Sequence, residues 1–128
     1  MKIRLLSASV LAVCLGLAVA PAAKAAPTAI VQQEINYLLL YIKDSGCDFY
    51  RNGTWSDAKA AEKHVHDKYD FLLDMRRIDT TRDFIDKAAT ESSLSGQPYA
   101  VRCGSDMAMP SSRWLNNALA RYRARISP

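Results

Sequence analysis

Histidine is nearly absent, with His64 and His66 the only two in 128 residues. At i, i+2 spacing they point to opposite sides of a helix and cannot share a metal ion. Glu62, His66 and Asp70 do align at i, i+4 spacing and would offer at most a weak surface cation site. Lys59, Lys63 and Asp67 interleave with them as on a solvated face of ion pairs. A structural metal site needs a closed ligand set, so neither a metal nor a cofactor is expected. No Gly-x-Ser-x-Gly elbow occurs, so the usual serine-nucleophile signature is missing. There is no internal repeat and no interdomain linker. No acid follows Asp106, whereas Arg113, Arg121, Arg123 and Arg125 do. The one long apolar run, residues 5–20, falls short of the roughly 20 residues that a spanning helix needs.

That run reads as the core of an export leader. Lys2 and Arg4 form its charged start, Pro21 breaks it, and Ala23-Lys24-Ala25 fits the small-x-small cleavage pattern. The expected cut follows Ala25, giving residues 1–25 as signal peptide and 26–128 as a single helical domain in the periplasm or secreted. No stable membrane anchor remains after cleavage. Val13 before Cys14 is too large for a lipidation site, so Cys14 leaves with the leader. Cys47 and Cys103 are then the two cysteines of the mature chain, and export favours a disulfide between them. Loop closure would give that bond at most roughly 4 kcal/mol. The formal charge of +4 is largely the leader's, carried by Lys2, Arg4 and Lys24. Nucleic-acid binding therefore loses its electrostatic argument.

Four helices follow from the apolar spacing. The first covers residues 28–44, with Ile30, Ile35, Leu38 and Ile42 as its stripe and Leu39, Leu40, Tyr37 and Tyr41 widening it, which makes it central. The second covers 56–76 and buries Ala58, Ala61, Val65, Tyr69 and Leu72. Thr80 and Asp83 form a capping box for the third, which carries Phe84, Ile85, Ala88 and Ala89 and ends by Ser92 or Ser93. The fourth starts at Ser111 or Ser112 and buries Trp114, Leu115, Ala118, Leu119 and Tyr122. Between the third and fourth, residues 92–103 cross the body as a turn and an extended piece, and 104–110 is an irregular loop. Asn52-Gly53 is a tight-turn signal within an aromatic extended arm. If Cys47 and Cys103 are bonded, that arm pairs with Tyr99, Val101 and Cys103. The expected fold is thus mainly α: four helices and a two-stranded β-ribbon, stapled by one disulfide.

The candidate functional surface is the meeting of the two irregular segments. Arg51, Asn52 and Gly53 would face Ser92, Ser93, Gly96 and Tyr99, with His64 nearby, placing a cation, amide donors and hydroxyls together. The plainer alternative is that these groups satisfy one another as turn and cap residues. A hydrolase would use Ser92 or Ser93 as nucleophile with His64 as base. The arginines of the last helix would suit an acidic partner or anionic head groups, or simply the negative end of the helix dipole. Asn52-Gly53-Thr54 also fits the N-glycosylation sequon.

Several stretches taken together, Phe49-x-Arg51-Asn52-Gly53, His64, Lys68-Tyr69, Thr81-x-x-Phe84-Ile85-x-Lys87-x-Ala89 and Ser92-Ser93-x-Ser95-Gly96-x-Pro98-Tyr99-x-Val101, carry a resemblance. The chain resembles a family of small exported proteobacterial envelope proteins known only as a domain of unknown function. Ser95 keeps a hydroxyl where the family usually has threonine. The resemblance implies an exported, mostly helical domain, a disulfide that is an accessory staple, and no assigned reaction or catalytic residue. The expected function is a small binding or interaction module, in one form an inhibitor or immunity protein. Its partner would be an envelope protein or a small ligand, and the small hydrolase is the alternative.

Overall fold

The computed structural model describes residues 9–20 and 26–128. The charged start of the leader and the cleavage site at 23–25 fall outside the described residues. Residues 9–20 are exposed and form no regular element, and Cys14 is an exposed free thiol.

Helix α1 (Ala29–Lys43) begins where the Thr28 side chain accepts the Val31 N–H at 3.3 Å. Its buried face is Glu34, Ile35, Leu38, Leu39 and Ile42. Ile30 and Leu40 are exposed, contrary to the sequence reading. At about 100° per residue, Ile30 lies a quarter-turn off the centre of that face and Leu40 lies opposite it. α1 packs against α2 (Ala58–Asp74), α3 (Thr81–Ala88) and α4 (Ser111–Ile126), the central place its width of apolar surface demands.

The aromatic arm after α1 is a hairpin rather than a single strand. β1 (Asp48–Arg51) turns through Asn52, at φ 48°, and Gly53, at φ 84°, into β2 (Thr54–Ser56). Positive φ at both central residues is what a two-residue hairpin turn requires and what Asn-Gly supplies. Ser56 therefore ends β2, and Asp57 rather than Ser56 caps α2, accepting the Ala60 N–H at 2.8 Å. All five residues expected on the α2 stripe are buried.

The Thr80–Asp83 capping box opens α3 as its sequence announces. The helix stops at Ala88, well before Ser92. Its continuation is diverted because the Tyr99 N–H bonds the Thr90 carbonyl at 2.8 Å and Glu91 bridges Pro98. β3 (Ala100–Arg102) and β4 (Met109–Pro110) follow, and α4 completes the order.

The strands form one antiparallel sheet in the order β2-β1-β3-β4. The expected ribbon is its central pair, with Asp48 opposite Arg102, Phe49 opposite Val101 and Tyr50 opposite Ala100. Two further strands flank it, so the four expected helices accompany a four-stranded sheet where a two-stranded ribbon was expected. A lone two-stranded ribbon is marginal in water, and the flanking strands supply pairing on both sides. Just beyond the Asp48–Arg102 pair, Cys47 and Cys103 form a disulfide with Cα atoms 4.3 Å apart. Phe49 and Val101 point from the sheet into the core, where Phe49 meets the edge of Trp114 at a ring distance of 5.5 Å.

Three arginines of α4, Arg121, Arg123 and Arg125, tie it to α1. Arg123 forks onto Glu34, Nε to Oε1 at 2.7 Å and Nη2 to Oε2 at 2.8 Å. Arg121 and Arg125 donate to the hydroxyls of Tyr41 and Tyr37. They join α4 to α1, a role beyond favouring the helix dipole. Among the described residues no helix is long and apolar enough to cross a membrane.

Candidate functional site

A cleft of about 100 Å³ opens between α2, β1 and Tyr99, with Ile42 of α1 and Leu115 of α4 at its back. Its walls are Phe49, Val65 and Leu115, and Ala60, Ala61 and Ala89 line it with nothing longer than a methyl. The space exists because alanines stand where bulkier side chains would close it. Ala60 and His64, and likewise Ala61 and Val65, are four apart on α2 and so stand on the same side of the helix.

The polar groups of the cleft include Arg51, His64 and Tyr99. Tyr99 is held by its backbone on both sides, its N–H on Thr90 and its carbonyl accepting the Ser111 N–H at 3.0 Å. That fixes its ring, and its hydroxyl shares a 3.1 Å hydrogen bond with Nε2 of His64. Arg51 reaches the cleft from the end of β1 and is exposed. Among the described residues its guanidinium makes no hydrogen bond or ion pair. Lys68, one turn beyond His64 on α2, lies 5.4 Å from the Tyr99 ring centre and donates to the Glu91 carbonyl at 2.7 Å.

The electrostatics of this mouth are positive. Burial, then the charges of Arg51 and Lys68, push His64 below its ordinary value, so its imidazole is neutral at neutral pH. Burial also lowers Lys68; Glu91 opposes that fall and Arg51 adds to it. Burial raises the Tyr99 phenol, with Arg51 opposing.

The loop beside the cleft is locked by the hairpin turn. Asn52 Nδ2 donates to Ser92 Oγ at 3.0 Å, and Ser95 Oγ donates to Asn52 Oδ1 at 2.6 Å. Ser92 Oγ also accepts the Leu94 N–H, and Gly96, at φ 71°, turns the chain back towards Tyr99. Gly96 N–H donates to the Ser92 carbonyl at 2.9 Å.

A model described as a family of unknown function, DUF5329, matches residues 29–123. The chain belongs to DUF5329. Neither a curated protein nor a solved structure matches it. The DUF5329 match runs from α1 into α4 and so takes in the hairpin, the cleft, the loop and both bonded cysteines.

The residues singled out from sequence divide into two groups. Arg51, His64 and Tyr99 meet at the cleft. Asn52, Gly53, Ser92 and Gly96 build the turn and the loop beside it, the structural alternative open at the sequence level. Ser93 joins neither group: it is exposed along a shallow polar groove with Lys68, Lys87 and Glu91. Among the described hydrogen bonds none joins His64 to a serine, since His64 is bonded to Tyr99 and Ser92 to Asn52. Glu62, His66 and Asp70 line up on α2 as expected, with His66 Nδ1 2.9 Å from Glu62. Among the described residues no group of three or more metal-ligating side chains is arranged to hold an ion. Sequence reasoning passed over Lys68 as part of the site, although its i, i+4 spacing from His64 places it on the same face. Ser95 was also passed over, and only the fold shows its reach to Asn52.

Proposed function

We propose that this DUF5329 chain is an exported binding module of the cell envelope, and that its ligand enters the cleft bounded by Arg51, His64 and Tyr99. The observation that carries this reading is the cleft itself, a small apolar recess whose mouth gathers a cation and a fixed imidazole–phenol pair. Convergent polar groups on an apolar recess are the usual form of a small-ligand site. Export rests on the leader pattern with cleavage after Ala25, and on the Cys47–Cys103 bond, which an oxidising compartment sustains. The hydrolase alternative draws no support from the hydrogen bonding around His64 and Ser92.

The test is recovery of small molecules from protein incubated with envelope extract. Wild type is compared with Ala60→Leu, which plugs the cleft from its rim. A compound retained by wild type and lost in the folded variant supports the reading. Equal retention by both sinks it.

A protein partner is the second reading, favoured by Leu94, which is 94% exposed at the tip of the locked loop. A rigid loop presenting one apolar side chain suits an inhibitor or immunity-type contact. Leu94→Asp would abolish capture of such a partner and leave small-molecule retention untouched.

A further inference from the structure

We propose, resting on the binding reading above, that the ligand is a small organic monoanion, its carboxylate held by Arg51 and its short carbon body in the alanine-lined cleft. Four observations converge on this class.

The first is the state of Arg51. Its guanidinium borders the cleft yet makes no hydrogen bond or ion pair among the described residues, whereas Arg102, Arg121, Arg123 and Arg125 are each engaged. Arg76, Arg77 and Arg113 are likewise unpaired among the described residues, but of these four only Arg51 lines the cleft. An unpaired guanidinium offers a fork of donors that matches a carboxylate.

The second is the local sign of charge. Arg51 and Lys68 both bear on His64, and Lys68 carries its cation to the face of Tyr99. Asp67 and Glu91 act in the other direction, but Asp67 is ion-paired to Lys63 at 2.6 Å. An arriving anion would relieve the repulsion between Arg51 and Lys68, and a cation would add to it.

The third is the lining. Phe49, Ala61, Val65, Ala89 and Leu115 present carbon to the interior and outweigh the hydroxyls of Ser56 and Ser111, which favours a ligand with a carbon body over a polyol or a phosphate-rich one. With His64 Nε2–H donating to the Tyr99 hydroxyl, the phenol keeps its own proton to donate to the second carboxylate oxygen. The fourth is size. A cavity of about 150 Å³ takes benzene, so about 100 Å³ takes a body of about four carbons. Short straight or branched monocarboxylates fit these terms together.

The experiment uses the purified full chain with its disulfide formed, titrated with butyrate and isovalerate and with butyramide and isovaleramide as neutral matches. Amide NMR shifts locate and quantify binding. The expected result is saturable shifts at Ala61, Val65 and Tyr99 with the carboxylates, and about tenfold weaker binding of the amides. Arg51→Gln should weaken carboxylate binding about tenfold and leave amide binding unchanged. Ala60→Leu should abolish both. Equal binding of acids and amides in the cleft overturns the anion assignment and leaves the binding reading intact. Shifts confined to scattered surface amides, or no shifts with any of the four probes, overturn the anion assignment and count against the cleft as a site.

Discussion

Arg123 and Glu34 form a two-pronged ion pair across 89 residues of chain, and the carboxylate end of that pair is buried. Thr81 also donates to Glu34 Oε2, so α1, α3 and α4 meet on one side chain. The Arg123 hydrogen bonds hold the Glu34 carboxyl below its usual range against the opposing effect of burial, with Thr81 assisting.

Removing one partner should cost more than removing both. Arg123→Met leaves a buried carboxylate with only Thr81 and should destabilise by about 1–3 kcal/mol. Glu34→Leu combined with Arg123→Met should recover much of that loss. Urea unfolding of the single and double variants checks it, and strictly additive losses would contradict the account.

Stability should fall in acid along a limb set partly by Asp83. Burial raises its carboxyl, but Lys87 and the N–H groups of Asp79 and Thr80 bring it to about 2, below its ordinary 3.8. A carboxyl whose folded value is depressed stabilises fully above its unfolded value and loses that contribution as pH falls through the folded one. The contribution, on the order of 2 kcal/mol, is therefore present above about pH 5 and lost towards pH 2. Asp83→Asn should flatten the decline in urea midpoint between about pH 6 and pH 2.5. An unchanged slope would assign the acid limb elsewhere.

Gly96→Ala should destabilise by about 1–2 kcal/mol through backbone strain alone. At φ 71° the position lies in the left-handed region, yet a Cβ there would meet no atom within 4 Å. The cost should therefore be nearly the same for Gly96→Ser as for Gly96→Ala. A much larger loss for the bigger side chain would mean that packing, not conformation, selects glycine.

Cys103→Ser should cost on the order of 2–4 kcal/mol, read from urea midpoints of the variant and the oxidised parent. Equal stability of the two would make the bond structurally idle.

The helices were legible because their stripes are apolar and continuous, and the α2 stripe was readable residue by residue. The disulfide was legible from the cysteine count that the leader reading leaves, and through it the β1–β3 pairing. β2 and β4 were not, because strands of three and two residues carry no periodicity and β4 contains a proline. Glu34 left a trace that could have been used: it is a charged residue at i−4 from Leu38, inside an apolar stripe, which calls for a partner. Nothing local to Arg123 names it as that partner. Arg51, His64 and Tyr99 were found as residues, but the cleft they border is made by alanines, and small residues do not announce the space they leave. Tyr99 also proved to be buried, at 6% exposure, so its truncation would test the core as much as the site.

The seam of the sheet has a bearing on how the chain reaches its fold. β1–β2 and β3–β4 are each hairpins between near neighbours, which close fast and locally. Joining them requires two segments 56 residues apart to find each other, with α2 and α3 strung between. That search is the slow, entropy-costly step in a topology of this kind. Once Cys47 and Cys103 are joined, the search never has to be repeated, because the unfolded chain keeps the two hairpins tethered at the point where they pair. The oxidised chain therefore refolds from a ring rather than from a line, and the reduced one must begin the search again.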